Sequence, residues 1–486
     1  MLTKEKHIMT APLSLVPDGP PGFGGALATF HRTVRHVRAY PAHLARHGID
    51  PENIRTPADF AELPVVTKDN YLKAHALAEL MPHGDVSEAG TWSSSSGSTG
   101  KPTYWPRELL SLQHSREYYD RILRAFDAPG RTTLLVNGFA MGTWIGGTYT
   151  HHGVLEARRR GHRVSVATPG IDVDAVLATM ADLGPHYDQV VLAAYPPFAQ
   201  DVLDHAPAEV RALKPALLLA GENITEAWRD HVLARTGQPD RPDRTCAIYG
   251  TADAGVMGHE TPTTIAIRRL ARTDARLRAA LFGDDDPALP TFVEYDPHLR
   301  YTETDAQGRF LFTVDGALPL VRYRINDEGS ILTPWQVAAA LRRCGHRIPV
   351  RTNTIGAGFL ALHRRRDVAA SFYAVKLYPE SIRAALEKPE VAAQVTGKFV
   401  LATVTGAAFE QTLTLRVELR AAAAAGADFT TRLRQLVIAE LERSNSEYRR
   451  LRAVLGTAAD PVVTLEPFGG TAFRYTAKHK YLEQNR

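Results

Sequence analysis

The chain of 486 residues carries 57 lysines and arginines against 53 aspartates and glutamates, so its formal net charge is +4. With 44% hydrophobic and 23% charged residues, it has the composition of a globular protein of two or three domains and not of a disordered chain. A charge this small for the length argues against a dedicated nucleic-acid binder, which concentrates basic residues on one face.

Cysteine content and hydropathy indicate the compartment. The two cysteines, Cys246 and Cys344, exclude a disulfide framework and a four-cysteine zinc site and predict a cytoplasmic, reduced protein. The amino terminus lacks an apolar run of signal-peptide length, and no stretch approaches the ~20 apolar residues that span a bilayer. We therefore expect neither export nor membrane insertion.

The first periodic segment, residues 26–49, predicts two short surface helices separated at Pro41. His43 and His47 stand four residues apart and could share a metal ion, but no third ligand accompanies them. We expect a basic, solvated helix face there.

From about residue 130, short apolar runs alternate with helical stretches. The predicted strands lie at 132–138, 162–170, 189–197, 215–222 and 246–253, and the helical stretches between them include 172–183 and 225–236. This alternation is typical of an α/β fold with largely parallel sheets. Because such folds bind ligands at the carboxyl ends of their strands, we expect functional residues directly after each run.

Beyond about residue 366 the composition changes. A β-pair at 398–406 and 411–419 is followed by an alanine-rich linker, an amphipathic helix at 429–445 and a final β-like segment. These elements predict a separate α+β domain.

The strongest local signal is the Ser/Thr/Gly-rich stretch at 91–103. It offers many backbone N–H groups, several hydroxyls and Lys101, which together suit a polyphosphate. It is not a Walker A loop, because Ser95 and Pro102 stand where that pattern requires Gly and Ser or Thr. A flexible linker is the alternative, but it would need neither Lys101 nor the aromatic residues on both sides.

Five motifs occur in the order seen in a known family. Residues 64–72 are similar to P-x-x-T-K, 94–103 to S-S-G-[ST]-T-G-x-P-T, 221–223 to the segment that borders the adenine, 249–253 to Y-G-x-[ST]-E, and 319–327 to P-L-I-R-Y-R-T-G-D. On these motifs the chain resembles the adenylate-forming enzymes, and more closely the phenylacetate–coenzyme A ligase-like branch. The resemblance implies an α/β protein: a large N-terminal domain, residues 1–363, with mostly parallel sheets flanked by helices, and a small mobile α+β lid domain, residues 364–486.

The resemblance also implies two-step chemistry with ATP, Mg²⁺ and coenzyme A. A substrate carboxylate attacks the α-phosphate and expels pyrophosphate, and a thiol or another nucleophile then captures the acyl-adenylate. Cations are the expected agents because phosphoryl-type transfer depends on neutralising charge.

The resemblance assigns nucleotide and metal roles to particular residues. The implied nucleotide-binding residues are Ser94, Ser95, Ser96, Gly97, Ser98, Thr99, Gly100, Gly221, Glu222, Asn223, Tyr249, Gly250, Thr251 and Asp327. Tyr249 offers a flat face for adenine and Asp327 can accept both ribose hydroxyls, although core packing and a plain turn are the structural alternatives. Asp253 stands where the family carries a glutamate that holds magnesium, and a shorter carboxylate can do so when waters complete the shell.

The predicted catalytic cations lie at several places in the chain. Thr471 replaces the lysine of the family's G-K-x-x-R motif, but residues 474–480 fit a later R-x-x-x-K-x-R arrangement of some relatives. By that resemblance Lys478, or as second choice Lys480, meets the α-phosphate, and a solvated basic tail is the alternative. The remaining predicted catalytic cations are Lys101 and Arg324.

Two further positions concern the lid. Asp367 is the hinge residue by resemblance, or else a surface aspartate that neutralises neighbouring arginines. Ala374 replaces a glycine that lines the family's pantetheine route, where a methyl group would narrow the channel.

The acid pocket is expected in residues 136–147 and 194–197. Its candidate residues are Asn137, Phe139, Gly142, Trp144, Gly146 and Tyr195. Small residues and a few aromatic ones suit a flat aromatic acid, although each aromatic side chain can equally belong to the core. Only His259 follows the Y-G motif, where some relatives bind structural zinc, so none is predicted.

The sequence thus predicts an adenylate-forming ligase that activates a small aromatic carboxylic acid and passes it to coenzyme A. One alternative is transfer to an amine, a hydroxyl or another nitrogen nucleophile, which Ala374 and the displaced lysine favour. A second is a degenerate nucleotide-binding protein, motivated by Asp253 and Thr471. The acid and the oligomeric state, a homodimer included, stay open.

Overall fold

The computed structural model describes residues 19–95, 103–128, 130–283, 289–351, 357–365, 370–373, 375–405, 411–423, 425–473 and 482–483. The strands in these ranges are β1 Thr91–Ser95, β2 Thr103–Arg107, β3 Thr133–Asn137, β4 Val164–Ala167, β5 Gln189–Ala194, β6 Ala216–Ala220, β7 Thr245–Thr251, β8 Gly255–His259, β9 Thr291–Tyr295, β10 Tyr301–Thr304, β11 Arg309–Val314, β12 Leu320–Leu332, β13 Gly358–Arg365, β14 Ala370–Phe372, β15 Val375–Leu377, β16 Val395–Thr405, β17 Gln411–Leu419, β18 Val462–Glu466 and β19 Leu482–Glu483.

The α-helices lie between and beside these strands. They are α1 Phe23–His36, α2 Ala39–Arg46, α3 Pro57–Ala61, α4 Leu77–Leu80, α5 Leu109–Ala125, α6 Ile145–Arg159, α7 Val173–Leu183, α8 Pro196–His205, α9 Ala208–Ala212, α10 Glu226–Arg235, α11 Pro262–Thr273, α12 Ala275–Phe282, α13 Pro334–Arg343, α14 Pro379–Leu386, α15 Pro389–Ala392, α16 Ala427–Ser444 and α17 Ser446–Leu455. None of the described helices combines the length and hydropathy needed to cross a bilayer.

A large sheet forms the centre of the core region, which we define as residues 19–365. Within the described residues it has eleven strands in the order β10-β11-β12-β13-β9-β8-β7-β6-β5-β3-β4. The neighbouring strands β4, β3, β5, β6 and β7 pair in parallel, and helices connect them along the chain. On the other side of β7, the neighbours β8, β9, β13, β12, β11 and β10 pair antiparallel. The α/β class with a helix-flanked sheet is therefore confirmed, with parallel pairing confined to one half.

Each of the five predicted strand runs contains a strand, because each has a short segment rich in apolar residues. The strands β3, β5 and β6 are buried along almost their whole length, as expected where helices cover both faces of a parallel sheet. The helices predicted at 172–183 and 225–236 are α7 and α10.

The prediction for the N-terminal helices was wrong in two respects. The break lies at Val37 and not at Pro41, because Pro41 sits in the first turn of α2, where a missing N–H costs little. His43 is only 1% exposed and packs against Tyr40 and Tyr71, so it belongs to the core and not to a solvated face.

The C-terminal region, defined here as the described residues between 370 and 483, has its own hydrophobic core. Its members come from both sheets and from α14 and α16, and include Phe372, Phe399, Leu413 and Leu441. The strands pair as a β14–β15 hairpin and as a sheet in the order β18-β17-β16-β19. The predicted α+β character of this part is therefore confirmed, whereas the domain boundary between residues 363 and 364 stays a prediction.

Candidate active site

The parallel strands bring the predicted motifs to one edge of the sheet. Asn137 ends β3, Tyr195 follows β5, Gly221 follows β6, and Tyr249 lies near the end of β7. Because these four strands are adjacent and parallel, their carboxyl ends meet at the same edge, as expected for a ligand site of this fold class.

The strand that leads into the phosphate loop is fixed to the predicted acid-pocket loop. The Ser94 amide donates to the Thr143 carbonyl (2.7 Å), and the two hydroxyls lie 2.8 Å apart. Ser94 also forms a parallel β-bridge with Trp144. The stretch expected to hold phosphates therefore begins directly beside the stretch expected to hold the acid.

The acid-pocket loop is shaped by its first residue. The Asn137 side chain is fully buried, donates to the Gly147 carbonyl (2.9 Å) and accepts from the Phe139 amide (3.3 Å). Gly142 has φ +77°, a left-handed conformation that glycine adopts without strain. A Cβ on Gly146 would lie 3.4 Å from the Phe139 ring, so glycine lets that ring pack closely.

Tyr249 and Asp327 form a buried pair across the sheet. The Tyr249 hydroxyl donates to Asp327 Oδ2 at 2.7 Å, and the two residues are 6% and 2% exposed. They stand 78 positions apart in sequence. The contact fixes the tyrosine ring beside the carboxylate, which brings the predicted adenine and ribose residues together.

Asp253 lies in a second polar cluster, and sequence reasoning assigned no role to its other two members, Tyr323 and Lys68. Asp253 Oδ2 accepts from the Tyr323 hydroxyl (2.7 Å), and Lys68 Nζ lies 3.4 Å from the same oxygen. Burial raises the pKa of Tyr323 well above its ordinary value, which keeps the phenol as a donor. Lys68 also lies 5.7 Å above the Trp105 ring, and a β-bridge between Val66 and Tyr323 brings it there. The P-x-x-T-K motif was the available signal, but no role had been attached to its lysine.

A local irregularity in β12 positions this cluster. Arg322 has φ +47°, a conformation that non-glycine residues rarely adopt. Its guanidinium donates to the Leu63 carbonyl (2.6 Å) and to the Ala61 carbonyl, and it lies 3.3 Å from Glu303. These contacts fix the strained residue directly before Tyr323, and the next amide, that of Arg324, donates to the Val66 carbonyl (2.8 Å).

The adenine-border segment, defined here as residues 221–225, rests on a buried network of charges. Arg268 donates to the Ile224 carbonyl (2.6 Å) and to Glu226 (2.9 Å). Arg229 bridges Glu226 (3.1 Å) and Glu260 (2.6 Å). Although burial opposes ionisation, Arg229 and Arg268 hold the pKa of Glu226 below its ordinary value. Two buried carboxylates thus face two buried guanidiniums, and the partly exposed Arg269 adds a third guanidinium 3.2 Å from Glu226.

The other side of the segment contacts the C-terminal region. The Glu222 carboxylate accepts from the Tyr195 hydroxyl (2.6 Å) and from Arg383 of α14 (2.8 Å). The same arginine donates to the Asn223 carbonyl (2.7 Å). Glu222 and Asn223 are therefore placed together at the boundary between the two regions.

The carboxylate set fits magnesium bound through a nucleotide better than magnesium held by the protein alone. In the part of the chain that the structure describes, no group of three or more His, Cys, Asp or Glu side chains could hold a metal. Mg²⁺ is commonly bound by one or two carboxylates with waters and substrate phosphates, and Asp253 can supply one such ligand.

Several predicted residues lie outside the described residues. These are residues 96–100 of the phosphate loop, Lys101, Asp367, Ala374, Lys478 and Lys480. Ser95 lies in β1, paired with Thr103, and Gly250 and Thr251 pair with β8. Arg324 is half-buried on β12. The roles assigned to all these residues stay predictions.

Comparison with known proteins identifies the fold family of the chain. No family model and no curated protein sequence matches the chain. A structure of 2-hydroxyisobutyryl-CoA ligase in the postadenylation state, with an adenylate bound, matches with a TM-score of 0.66 and 16% identity, over 95% of this chain and 88% of that one. The thioesterification state of that ligase gives 0.50 at 16% identity, over 95% and 88%. The GH3.15 acyl acid amido synthetase gives 0.57 at 13% identity, over 92% and 86%. The chain thus has the adenylate-forming ligase fold.

Proposed function

We propose that this protein is an ATP-dependent, AMP-forming ligase that activates a small aromatic carboxylic acid and transfers it to coenzyme A. One observation carries the proposal: motifs that occur in the family's order also lie together in one adenylate-forming fold. These motifs contain the strand that leads into the predicted phosphate loop, the Tyr249–Asp327 pair and the Asp253–Lys68 cluster. A nucleotide site assembled from these parts has a surface for adenine, an acceptor for ribose and charges for phosphate.

Each part of the site has a proposed task. Tyr249 would stack on adenine, and Asp327 would accept the ribose hydroxyls. Asp253 would hold Mg²⁺, which would neutralise phosphate charge when bound with ATP, and Lys101, Arg324 and Lys478 or Lys480 would add cationic contacts. Phe139, Trp144 and Tyr195 would hold an aromatic acid beside Ser94.

The C-terminal region would act as the lid, with Asp367 as its hinge. The TM-score is higher against the postadenylation state of the hydroxyisobutyryl ligase than against its thioesterification state, 0.66 against 0.50. That difference supports assigning the arrangement of the two regions in this chain to the adenylation half of the reaction.

The second candidate keeps adenylation and changes the acceptor to an amine. The similarity to an acyl acid amido synthetase over 92% of this chain favours it, because the same fold serves both acceptors.

The test measures pyrophosphate release with ATP, Mg²⁺ and a panel of aliphatic and aromatic acids, with coenzyme A, amines or hydroxylamine as acceptor. We expect release only with an acid, fastest with an aromatic one, and faster still with coenzyme A. Acceleration by an amine but not by coenzyme A supports the second candidate. The Asp327→Ala variant should lose at least tenfold in kcat/KM for ATP, and a folded wild-type protein without acid-dependent release would refute adenylation.

A further inference from the structure

Arg383 of α14 contacts the adenine-border segment through two donor groups. Arg383 donates from Nη1 to the Asn223 carbonyl (2.7 Å) and from Nη2 to Glu222 Oε2 (2.8 Å). The two side chains are 12% and 8% exposed, so this ion pair is largely shielded from water. A charge-assisted bond in such surroundings depends strongly on distance and direction.

The same carboxylate also contacts the predicted acid pocket. Glu222 Oε1 accepts from the Tyr195 hydroxyl at 2.6 Å, and Tyr195 is 6% exposed at the end of β5. Glu222 thus uses one oxygen toward the acid pocket and the other toward the C-terminal region. A carboxylate bound at both oxygens has a fixed orientation.

Other contacts between the regions reach α8 instead. Lys398 Nζ lies 2.6 Å from the Asp201 carboxylate, and Arg420 pairs with Asp204. The side-chain amide of Gln200 donates to the Thr396 carbonyl (3.1 Å). These contacts attach the C-terminal region to the helix that follows β5. Among the contacts described, two tie this region to the segment predicted to border adenine: the Arg383 contact and the hydrogen bond from the Thr225 hydroxyl to Glu387, the residue after α14. The Arg383 contact is the one that involves Glu222 and, through it, Tyr195.

We propose that Glu222 and Arg383 form a positioning latch that couples the docked position of the C-terminal region to the adenine-border segment and, through Tyr195, to the acid pocket. The proposal rests on the proposed function for its kinetic part and changes the expected role of Glu222. Its carboxylate orients the segment and holds the C-terminal region. Arg383 is a positioning residue for the adenylation step.

The kinetic test uses the full-length variants Glu222→Gln, Arg383→Gln and the double variant. Arg443→Gln is the matched control, because Arg443 pairs with Glu440 inside the C-terminal region. We expect each single variant to lower kcat for acid-dependent ATP–pyrophosphate exchange at least about tenfold, with KM for ATP changed less than about threefold. The double variant should be no slower than the slower single variant, because one shared contact is lost.

Two kinetic outcomes overturn the latch. A rise in KM for ATP in Glu222→Gln alone would mean that Glu222 binds the nucleotide directly. Losses that multiply in the double variant, or an Arg383→Gln variant as active as Arg443→Gln, would mean that the two side chains act independently.

A structural readout separates this proposal from the proposed function. Small-angle scattering of the ligand-free proteins should show a larger radius of gyration for both single variants than for the wild type and Arg443→Gln. If the wild type shows no acid-dependent exchange but the scattering difference is present, the proposed function fails and the docking contact stands. Equal radii in all four proteins refute the latch even in an active enzyme.

Discussion

The two sides of the adenine-border segment are held by different kinds of contact. On the core side, Glu226, Arg229, Glu260 and Arg268 are between 0% and 3% exposed and balance one another in charge. On the other side, Arg383 and Glu387 contact the segment from a region that has its own hydrophobic core. We therefore expect the core side to be lost only when the protein unfolds, and the other side to separate without unfolding. A segment that is fixed on one side and can be uncovered on the other suits a site that must bind substrates, react and release products.

The largest expected effect comes from breaking the core side. Arg229→Met removes the guanidinium that lies 3.1 Å from Glu226 and 2.6 Å from Glu260, and it leaves the buried Glu260 with Arg268 at 3.9 Å. We therefore expect the free energy of unfolding to fall by about 3–5 kcal/mol. Urea unfolding followed by circular dichroism measures this loss. Arg276→Met, at a side chain that is 79% exposed, is the control and should change stability by less than about 0.5 kcal/mol. Equal losses of stability in the two variants would contradict the view that the buried charge network fixes the core side of the segment.

A medium effect is expected at Glu387, which faces the segment from the C-terminal region. It accepts from the Thr225 hydroxyl, and Arg383 and Arg268 are the charged groups that face it. Burial raises the pKa of Glu387 to about 7 from an ordinary 4.5, despite these partners. Docking therefore takes up a proton and weakens as the pH rises from about 4.5 to about 7, by at most ~3 kcal/mol.

Glu387→Gln should remove this weakening of docking at high pH, because glutamine stays neutral. In small-angle scattering, we expect the variant to have a smaller radius of gyration than the wild type at pH 8, because its C-terminal region stays docked. Near pH 5 the two radii should be equal. Glu390→Gln, at an exposed position, should follow the wild type at both pH values. A variant that is less docked at pH 8 would show that the charged carboxylate stabilises docking.

The smallest effect concerns His43 and has the opposite dependence on pH. Burial and then the neighbouring His47, Arg46 and His75 lower the pKa of His43 to about 4 from an ordinary 6.5. The folded core therefore loses stability as the pH falls from about 6.5 toward 4, by about 1 kcal/mol per pH unit. Acid should thus weaken the core while it favours docking.

His43→Leu should flatten the loss of core stability in acid. Urea unfolding at pH 6.5 and 5.5 measures the change, and the exposed His298→Leu should keep the wild-type slope. An unchanged slope in His43→Leu would show that other groups cause the acid sensitivity.

Much of the fold could be predicted from sequence because the signals are local. The runs at 132–138 and 215–222 each contain a continuous apolar stretch, and such stretches between helices form buried parallel strands. The antiparallel half could not be predicted in this way, because its strands pair through connections of different lengths that periodicity does not report. His43 was assigned to a solvated face because its helix carries arginines, and only the packing of Tyr40 and Tyr71 shows its burial.

The sequence by itself determined the fold class, the order of the motifs and the residue types that a nucleotide site requires. The tertiary structure alone decided which of those residues meet: Tyr249 with Asp327, and Glu222 with Arg383 at a separation of 161 positions. The physical reason is that a strand or helix follows from the side chains of its own segment, whereas a contact between distant residues depends on the packing of every element between them.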